Sequence, residues 1–532
     1  MEKKYERFGV MLDCSRNAVM TVSAVKRMID CLAKMGYDTL ELYTEDTYEV
    51  EGEPFFGYLR GRYTGEEIQE IDAYAKAHGV ELIPCIQTLA HFTAFVRNGQ
   101  CGGMFDTADI LLVGEDRTYE FIDHLFASLA KNFSSRQVNI GMDEAHMVGL
   151  GRYLDKHGHR NRFDILIEHL QKVAEIAKKY GFPAHMWSDM FFRLANNGGY
   201  YSNNVINVPE NVKKSLPDNV DLVYWDYYHV EKEIYDVMFQ SHEGFNGETW
   251  FAGGAWSWDG FAPYNAKTLK TMKPAMESVI EHGVKNVLIT MWGDNGRECS
   301  PFALLPSLYA VRQYAEGNFD QEKIEKGFNE LFGLDYADFS RLDIPNKLSA
   351  NAEDWFGNPC KSLLYPDPFM GLLDHSAEQR PIPYAQYSDI LAEIAPRMGD
   401  FAYLFESMSK LCSVLAIKAE LGVKTRKAYK AGDKKALTAL IGDYKEVDVR
   451  LDAFHAAFYA LWHKDNKPYG WEIQDARLGG LSRRIKTCAM RLEAYVAGKT
   501  DKIEELEEEI LPYYDGMMSH NNYESMISRS LL

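Results

Sequence analysis

The sequence predicts an α/β fold, in which an eight-stranded parallel (β/α)8 barrel is followed by a mainly α-helical domain. Eight short apolar runs alternate with amphipathic helical segments along roughly the first 320 residues. This alternation is typical of parallel strands, and eight such strands in a segment of this length favour closure into a barrel. The rest of the chain shows helical periodicity alone. We therefore expect a barrel over residues 1–320 and a helical accessory domain over residues 321–532.

The first half of the barrel has a regular order of strands and helices. Residues 7–14, 39–43, 81–87 and 138–142 have the apolar character of buried strands. Residues 24–35, 66–78 and 118–132 have helical spacing of their apolar side chains. Gly79 follows the second of these helices and suits a C-terminal cap, because glycine readily adopts left-handed backbone angles.

The second half of the barrel repeats the pattern with one irregular crossover. The predicted strands are residues 183–189, 221–226, 248–256 and 287–294, and the predicted helices are residues 163–180, 267–282 and 302–316. No clear helical period separates the fifth strand from the sixth. The count of eight strands still favours a closed barrel over an open sheet.

The accessory region begins with a proline-rich stretch and then becomes helical. Six of the eighteen prolines fall between residues 345 and 383, which predicts a linker or an irregular layer. Helical periodicity follows in residues 390–428, 434–462 and 478–497, and an acidic helix is predicted at residues 501–511. We expect these helices to pack against the barrel rather than to form an independent binding module.

Composition and charge limit the classes of partner. The net charge of −20 and the pI near 5.3 disfavour nucleic acid and anionic membranes, and they fit a neutral substrate. No apolar run approaches the ~20 residues needed to span a bilayer, and the N-terminus lacks the pattern of a signal sequence. The eight cysteines are scattered without a C-x-x-C pair or a cluster with histidine. The sequence thus predicts a cytoplasmic protein with reduced thiols, no metal site and no cofactor.

Polar and aromatic residues follow the predicted strands. The carboxyl ends of barrel strands converge on one face, so residues far apart in sequence are expected to share a pocket there. The residues at these ends are Asp13, Arg16, Glu45, Asp46, His91, Asp143, Glu144, Trp187, Asp189, Tyr224, Asp226, Trp256, Trp258, Trp292 and Asp294. Carboxylates beside aromatic walls indicate glycoside hydrolysis.

The adjacent carboxylates Asp143 and Glu144 are the strongest single signal, because acids at the end of a buried strand cost stability unless they serve a site. Glycosidases commonly use two carboxylates, one as an acid and one as a nucleophile or base. Neighbours on a regular strand, however, point to opposite faces. Either one of these acids has a different task, or the nucleophile lies elsewhere.

The segment Asn139-Ile140-Gly141-Met142-Asp143-Glu144 resembles the motif of glycoside hydrolase family 20, the β-N-acetylhexosaminidases. The resemblance implies that the substrate's own 2-acetamido oxygen is the nucleophile. Glu144 would then be the general acid and base, and Asp143 would orient the acetamido N–H. Tyr224 would donate a hydrogen bond to the acetamido carbonyl. The implied protein is an exo-acting, retaining enzyme that releases terminal GlcNAc or GalNAc from small glycans.

Further positions match the family more loosely. Arg16 resembles the arginine that binds sugar hydroxyls, and Asp226 resembles a hydroxyl acceptor. His91 resembles the histidine near the acid, with Glu45 or Asp46 as its carboxylate partner. The implied walls of the sugar pocket are Trp187, Trp256 or Trp258, and Trp292.

The chain also departs from the family pattern. Asp294 stands where the family usually has glutamate. Asn139 and Met142 replace the histidine and second glycine that are frequent in the motif. The small α/β domain that usually precedes the barrel is missing, which points to a shorter branch of the family.

Two alternatives stay open at this stage. A retaining β-glycosidase could use Asp294 or Glu298 as a protein nucleophile opposite Glu144. A catalytically silent sugar-binding protein could keep the same pocket, although binding alone needs no proton donor such as Glu144. The sequence does not distinguish GlcNAc from GalNAc, and it is compatible with a monomer or a homodimer.

Overall fold

The computed structural model describes residues 4–348, 358–379, 381–511 and 522–530. Eight parallel strands follow one another around a closed barrel, and the last pairs with the first. The predicted fold class is confirmed. The strands are β1 (Arg7–Asp13), β2 (Thr39–Tyr43), β3 (Glu81–Cys85), β4 (Val138–Asn139), β5 (Ala184–Trp187), β6 (Val220–Trp225), β7 (Thr249–Gly254) and β8 (Asn286–Met291).

Helices connect the strands and cover the outside of the barrel. The fifth crossover contains two short helices, which is why residues 190–220 lack a clear helical period. The barrel helices are α1 (Val22–Met35), α2 (Gly65–Ala77), α3 (Thr93–Val96), α4 (Asp116–Asn132), α5 (Arg152–His157), α6 (Arg162–Lys179), α7 (Asp189–Ala195), α8 (Glu210–Lys213), α9 (Lys232–His242), α10 (Asn265–Glu281) and α11 (Leu305–Ala315).

Capping side chains fix where the first two helices begin. The Thr21 hydroxyl accepts a hydrogen bond from the Ala24 N–H at the start of α1. At the start of α2, the side chains of Thr64 and Glu67 each accept a hydrogen bond from the other's backbone N–H. Gly36 ends α1 with a left-handed φ of 85°. These caps set the first residues of α1 and α2 and the last residue of α1.

Strand β4 is shorter than predicted and ends at Asn139 rather than at Met142. It pairs with β3 through one residue, Cys85 opposite Asn139. Gly141 and Met142 have φ values of 72° and 70°, which no β-strand accommodates. The alternation of small and apolar residues that suggested a strand therefore belongs to a buried turn.

A polar layer lies inside the barrel beneath the strand ends. Glu41 and His185 are fully buried, and His185 Nε2 lies 2.7 Å from Glu41 Oε1. The Gln137 side chain donates to His185 Nδ1 at 2.9 Å, and the imidazole stacks on Trp250 at 4.0 Å. Each polar atom of the imidazole is thus satisfied, as burial requires.

The helical region starts at α12, and the predicted boundary at residue 320 lies between α11 and α12. The predicted helix 390–428 is interrupted by irregular turns at residues 395–401, because Pro396 and a left-handed Gly399 do not continue it. The described helices of the helical region are α12 (Gln321–Phe332), α13 (Tyr336–Phe339), α14 (Pro359–Leu364), α15 (Asp374–Gln379), α16 (Tyr384–Ile394), α17 (Ala402–Lys430), α18 (Lys434–Asp465), α19 (Trp471–Val496), α20 (Glu504–Glu507) and α21 (Tyr523–Ile527).

Part of the predicted proline-rich linker, residues 349–357 and 380, lies outside the described residues. The rest of that segment contains α14 and α15 rather than an irregular layer alone. Among the described helices, none is both long enough and apolar enough to cross a membrane.

A buried network joins the helical region to the barrel. Asp465, at the end of α18, accepts hydrogen bonds from Arg27 Nη2 at 2.6 Å, Ser300 Oγ at 2.6 Å and Tyr403 OH at 2.9 Å. Arg27 belongs to α1, and Ser300 follows β8. Burial raises the pKa of Asp465, although Arg27 and the hydroxyl donors oppose that rise.

Candidate active site

A cavity of about 240 Å³ opens at the carboxyl ends of the strands. Eight of the eleven predicted site residues line it, and Tyr224, Asp226 and Trp256 do not. Its lining consists of Arg16, Tyr43, His91, Asp143, Glu144, Trp187, Trp225, Tyr227, Tyr228, Trp258, Trp292, Asp294 and Asn295.

The turn after β4 lets two adjacent acids face one cavity. Its backbone is left-handed at Gly141, Met142 and Glu144, with φ values of 72°, 70° and 51°. Gln87 fixes the turn, since its Oε1 accepts from the Met142 N–H at 3.1 Å and its Nε2 donates to Asp143 Oδ1 at 2.7 Å. The strand alternation that would separate Asp143 from Glu144 therefore does not apply here.

Asp143 and His91 form a buried ion pair, with His91 Nε2 at 3.1 Å from Asp143 Oδ2. The ring N–H is not aligned for a hydrogen bond, so the contact is mainly one of charge. Burial alone would lower the pKa of His91, but the carboxylates of Asp143 and Glu45 outweigh it and raise the pKa to about 9. Burial alone would raise the pKa of Asp143, but His91 and Gln87 hold it below its ordinary value.

Glu144 is the accessible acid of the site, because 43% of its side chain is exposed. Its Oε2 lies 3.9 Å from His91 Nε2, and its Oε1 lies 3.7 Å from Arg193 Nη2. The backbone N–H of Glu144 donates to Asp189 Oδ2 at 3.1 Å. Burial and the nearby Asp143 raise the pKa of Asp189 to about 7, although Arg193 opposes the rise. Glu144 is therefore held through its backbone while its carboxyl group stays reachable.

Arg16 and Glu45 form a second ion pair at the rim, 3.0 Å apart. Glu45 Oε1 accepts from Tyr43 OH at 3.1 Å and lies 3.9 Å from His91 Nδ1. The neighbouring Asp46 pairs instead with Arg60 at 3.1 Å. Of the two carboxylates that the sequence offered as partners of His91, the structure places Glu45 beside it.

Tyr224 does not lie where the sequence comparison predicted. Its ring is fully buried on the outer side of β6. The ring centroid lies 5.2 Å from that of Phe239 and 5.5 Å from that of Phe251. Its hydroxyl donates to Asp226 Oδ2 at 2.9 Å. Because side chains alternate along β6, Trp225 faces the cavity and Tyr224 faces helix α9.

Asp226 and Trp256 also lie away from the cavity. Asp226 is fully buried and forms an ion pair with His229 Nδ1 at 2.7 Å. It also accepts the Tyr228 N–H at 3.0 Å, so it shapes the loop after β6. Trp256 donates its indole N–H to the Tyr227 carbonyl at 3.0 Å and stacks on Trp258 at 4.2 Å. Of the two alternative tryptophans, Trp258 is the one that lines the cavity.

The sequence interpretation missed Tyr43, Trp225, Tyr227, Tyr228 and Asn295 as lining residues. Most of them sit beside a residue that was singled out, as in the run Tyr224-Trp225-Asp226-Tyr227-Tyr228. Gln87, which organises the turn, was visible only as a polar residue at the end of the predicted third strand. The sequence therefore indicated the right segments, but it did not show which side chains face the cavity.

Aromatic rings form the walls of the cavity. Tyr43 meets Trp292 edge to face at 4.8 Å, and Trp187 lies 6.0 Å from Trp292. Tyr227 stacks on Trp225 at 5.3 Å, and burial raises its pKa well above the ordinary value, so its phenol stays a neutral donor. These planar walls suit the apolar faces of a sugar.

Asp294 is the carboxylate contributed by the loop after β8. Burial raises its pKa to about 6, although Arg16 opposes the rise. Across the described residues, no group of three or more histidine, cysteine or acidic side chains has the arrangement to hold a metal ion.

Two family models match the chain. "Glycosyl hydrolase family 20, catalytic domain" matches residues 5–238, and "Glycoside Hydrolase 20C C-terminal domain" matches residues 335–525. Among characterised relatives, a beta-hexosaminidase of Vibrio furnissii is 27% identical over 179 residues, covering 26% of this chain and 29% of that protein. Beta-hexosaminidase 3 of Arabidopsis thaliana is 22% identical over 218 residues, covering 37% of this chain and 39% of its own. The chain thus spans well under half the length of these relatives.

Among solved structures, the chitobiase of Flavobacterium johnsoniae has 16% identity and a TM-score of 0.47, covering 94% of this chain and 74% of its own. The β-N-acetylhexosaminidase of Bacteroides fragilis has 19% identity and a TM-score of 0.47, covering 62% and 70%. The two family models together match about four fifths of the sequence, one in the barrel and one in the helical domain, with residues 239–334 between them. The chain therefore belongs to glycoside hydrolase family 20.

Proposed function

We propose that this protein is an exo-acting, retaining β-N-acetylhexosaminidase that releases terminal GlcNAc or GalNAc by substrate-assisted catalysis. The observation that carries the proposal is the pairing of Asp143 and Glu144 in one cavity, made possible by the left-handed turn after β4. Adjacent acids cannot easily flank a sugar ring as acid and nucleophile. They can, however, serve the acetamido group and the leaving oxygen of the same sugar.

The proposed first step breaks the glycosidic bond. The acetamido carbonyl oxygen attacks the anomeric carbon, Glu144 gives its proton to the leaving oxygen, and the C–O bond breaks. Asp143 accepts the acetamido N–H and balances the positive charge of the oxazolinium. The lowered pKa of Asp143 keeps it ionised for this task. In the second step Glu144 removes a proton from water, which attacks the same carbon. The bond between that carbon and the acetamido oxygen breaks, which regenerates the acetamido group and restores the original configuration.

Tyr227 takes the role that the resemblance had suggested for Tyr224. Tyr227 lines the cavity, whereas the Tyr224 hydroxyl is held by Asp226 outside it. A neutral phenol that donates to the acetamido carbonyl stabilises the negative end of the attacking dipole and orients it. Arg16 and Asp294, which also line the cavity, are proposed to bind sugar hydroxyls.

The size of the cavity supports exo action. A volume of about 240 Å³ with aromatic walls suits a single sugar ring, with the leaving group held outside near Glu144. A terminal residue of a small glycan suits a site of this size.

Of the two candidate protein nucleophiles, Asp294 and Glu298, only Asp294 lines the cavity. Glu298 is buried in ion pairs with Lys361 and Arg477 and is absent from the lining. A thiazoline that mimics the oxazoline separates the mechanisms, since only acetamido participation creates that shape and charge. Tight inhibition supports acetamido participation, and weak inhibition favours Asp294.

The first experiment compares three 4-nitrophenyl β-glycosides: the N-acetylglucosaminide, the N-acetylgalactosaminide and the glucoside. We expect cleavage of both acetamido sugars and none of the glucoside, and the ratio of the first two gives the epimer preference. Equal cleavage of the glucoside would eliminate the substrate-assisted mechanism. No cleavage of any glycoside would favour a silent sugar-binding protein.

We also propose a cytoplasmic location and a homodimer. All eight cysteines are unpaired in the structure, which suits a reducing compartment. Val449 of α18 and Met490 of α19 expose 62% and 61% of their surface, and we propose that they contact the second copy. Cell fractionation and light scattering after gel filtration test the two proposals separately.

A further inference from the structure

The loop after β8 carries part of the sugar cavity on an unusual backbone. This loop, residues 294–298, places Asp294 and Asn295 in the cavity lining. Asn295, Gly296 and Arg297 have φ values of 45°, 127° and 55°. Left-handed angles are disfavoured for residues other than glycine, so the surroundings must hold Asn295 and Arg297 in place.

The barrel itself holds the two ends of this loop. Asp13 Oδ2 accepts the Gly293 N–H at 2.8 Å, just before the loop begins. Arg297 donates through Nη1 to the Met291 carbonyl at 2.8 Å. Neither of these contacts reaches Asn295 or Gly296 at the tip.

The helical domain holds the tip. Lys361 of α14 donates to the carbonyl oxygen of Asn295 at 2.9 Å and to its Oδ1 at 3.0 Å. Arg477 of α19 donates to the same carbonyl at 2.8 Å. Gln474, one turn earlier on α19, donates to the Gly296 carbonyl at 2.9 Å. A methyl group on Gly296 would lie 2.4 Å from Arg477 Nη1, so the guanidinium fits directly against the backbone.

Glu298 anchors the two cations that hold the tip. Its Oε2 lies 2.8 Å from Lys361 Nζ, and its Oε1 lies 2.9 Å from Arg477 Nη1. The side chains of Lys361 and Glu298 are each only 1% exposed. Burial lowers the pKa of Lys361, and Glu298 opposes that fall. Isolated charges do not persist at such depth, so the cluster is stable only as a unit.

We infer that Lys361 and Arg477 are positioning residues for the sugar cavity. By fixing the tip of the 294–298 loop, they set the position from which Asp294 meets a sugar hydroxyl. The helical domain thereby completes the binding site and does more than support the barrel. The inference rests on the proposed function for the identity of the ligand, but the restraint of the loop does not depend on it.

The kinetic signature follows from where these residues act. Asp294 would contact the sugar in both the ground state and the transition state, whereas bond breaking depends on Asp143 and Glu144. Loss of uniform binding raises KM and leaves kcat largely unchanged. A residue that merely supported the fold would lower the amount of active enzyme without changing KM.

The test uses the full chain with the variants Lys361→Met, Arg477→Met and Arg477→Lys. Lys418→Met is the matched control, because Lys418 is also a buried lysine of the helical domain. It donates to the backbone carbonyls of Pro366 and Leu363 at 2.9 and 3.4 Å, away from the 294–298 loop. Gln474→Met serves as an uncharged variant should a charge removal prevent folding.

We expect Lys361→Met and Arg477→Met to raise KM for 4-nitrophenyl N-acetyl-β-glucosaminide by ~10-fold or more, with a smaller change in kcat. Arg477→Lys should recover part of this loss, since it keeps the charge that pairs with Glu298. Lys418→Met should keep the KM of the wild type, even where its unfolding temperature falls.

Hydrogen exchange of residues 294–298 gives a second readout that needs no activity. Exchange should quicken by ~10-fold or more in Lys361→Met, Arg477→Met or Gln474→Met, and it should stay unchanged in Lys418→Met. A wild-type enzyme that cleaves no acetamido glycoside would refute the proposed function and leave the exchange result standing. Folded variants with wild-type exchange, or with wild-type KM where the enzyme is active, would overturn the inference.

Discussion

At the scale of single residues, the site depends on the buried charge of His91. An imidazolium between Asp143 and Glu45 keeps Asp143 ionised in a pocket where burial alone would neutralise it. Its Nε2 lies 3.9 Å from Glu144 Oε2. One side chain thus keeps Asp143 ionised and lies beside the second acid of the turn.

The pH dependence of stability should reveal this ion pair. The folded-state pKa of His91, about 9, lies above its ordinary value of 6.5, so its contribution is complete below pH 6.5 and lost as the pH rises through about 9. The full contribution is on the order of 3 kcal/mol. The stability contribution of the ion pair also falls on the acid side, below about pH 3.8, because Asp143, whose folded-state pKa is lowered, then becomes protonated. Urea unfolding of the wild type and His91→Gln from pH 5 to 10 checks this, and a constant difference would contradict it.

The two tyrosines of the β6 segment form a natural pair of variants. We expect Tyr227→Phe to lower kcat on acetamido substrates by a factor on the order of 100, because it removes a donor from the attacking group. Tyr224→Phe removes a hydrogen bond to Asp226 outside the cavity and should mainly lower stability. Steady-state kinetics beside thermal unfolding separates the two effects. The reverse ranking of kcat would return the role to Tyr224.

The role of Glu144 predicts a dependence on the leaving group. Glu144→Gln should reduce hydrolysis of poorly activated glycosides by ~10²- to 10⁴-fold, since general acid help matters most there. Nitrophenyl substrates with good leaving groups should lose much less. A series of phenyl N-acetylglucosaminides of increasing phenol pKa measures the slope. The same slope for wild type and variant would argue against Glu144 as the acid.

Residue types at strand ends could be predicted from the sequence, because every βα unit brings its carboxyl end to the same face. Arg16, His91, Trp187 and Trp292 were found in this way. The sequence could not predict whether a given side chain faces the cavity, because that depends on the residue at which the strand ends. Tyr224 and Tyr227 have equally plausible sequence contexts. In the structure Tyr224 lies on β6 and faces α9, whereas Tyr227 lies in the loop after β6 and lines the cavity.

At the scale of elements, the turn after β4 is where sequence pattern and structure diverge. Residues 138–142 alternate like a strand. The side chain of Gln87, two residues after β3, holds the last of them in a left-handed turn. That partner is more than fifty residues away in sequence, so no local pattern could reveal it. The motif was recognisable, but the conformation that explains it was not.

Replacing Gly141 by alanine should disrupt this turn. The new methyl group would lie 2.2 Å from Gln87 Oε1 and 2.8 Å from the Ile86 carbonyl, besides the cost of a left-handed alanine. We expect a loss of stability of more than ~2 kcal/mol and a fall in kcat from displaced Asp143 and Glu144. Urea unfolding and kinetics measure both.

Gly333→Ala is the control, since Gly333 has a left-handed φ of 69° but no neighbouring atom within 4 Å of the added methyl group. It should show only the backbone cost of ~1 to 2 kcal/mol and normal kinetics. Equal effects from the two substitutions would mean that Gln87 does not restrain the turn.

At the scale of the whole molecule, the barrel and the helical domain are joined by buried polar contacts. Asp465 collects three donors from α1, the β8 segment and α17. Moving the two domains apart would break these buried hydrogen bonds and leave polar groups without partners, which costs free energy. We therefore expect the two domains to unfold together.

Asp465→Asn should weaken this joint, with a loss of ~2 to 4 kcal/mol, because Arg27 keeps its charge and loses its counterion. Glu70→Gln is the matched control: it also removes a carboxylate beside a cation, Lys26, but on an exposed surface, and should cost less than ~1 kcal/mol. Urea denaturation followed by tryptophan fluorescence and by circular dichroism measures both variants. Two separate transitions in the wild type would contradict a shared unfolding unit.

The cluster around Glu298 also limits how this protein can be recombined. A chimera joined near residue 320 would place Glu298 and Asn295 in one parent and Lys361, Gln474 and Arg477 in the other. Such a junction looks neutral in sequence, since it falls between two helices. It would nevertheless divide one side of the sugar cavity between two lineages, so these five positions must be inherited together.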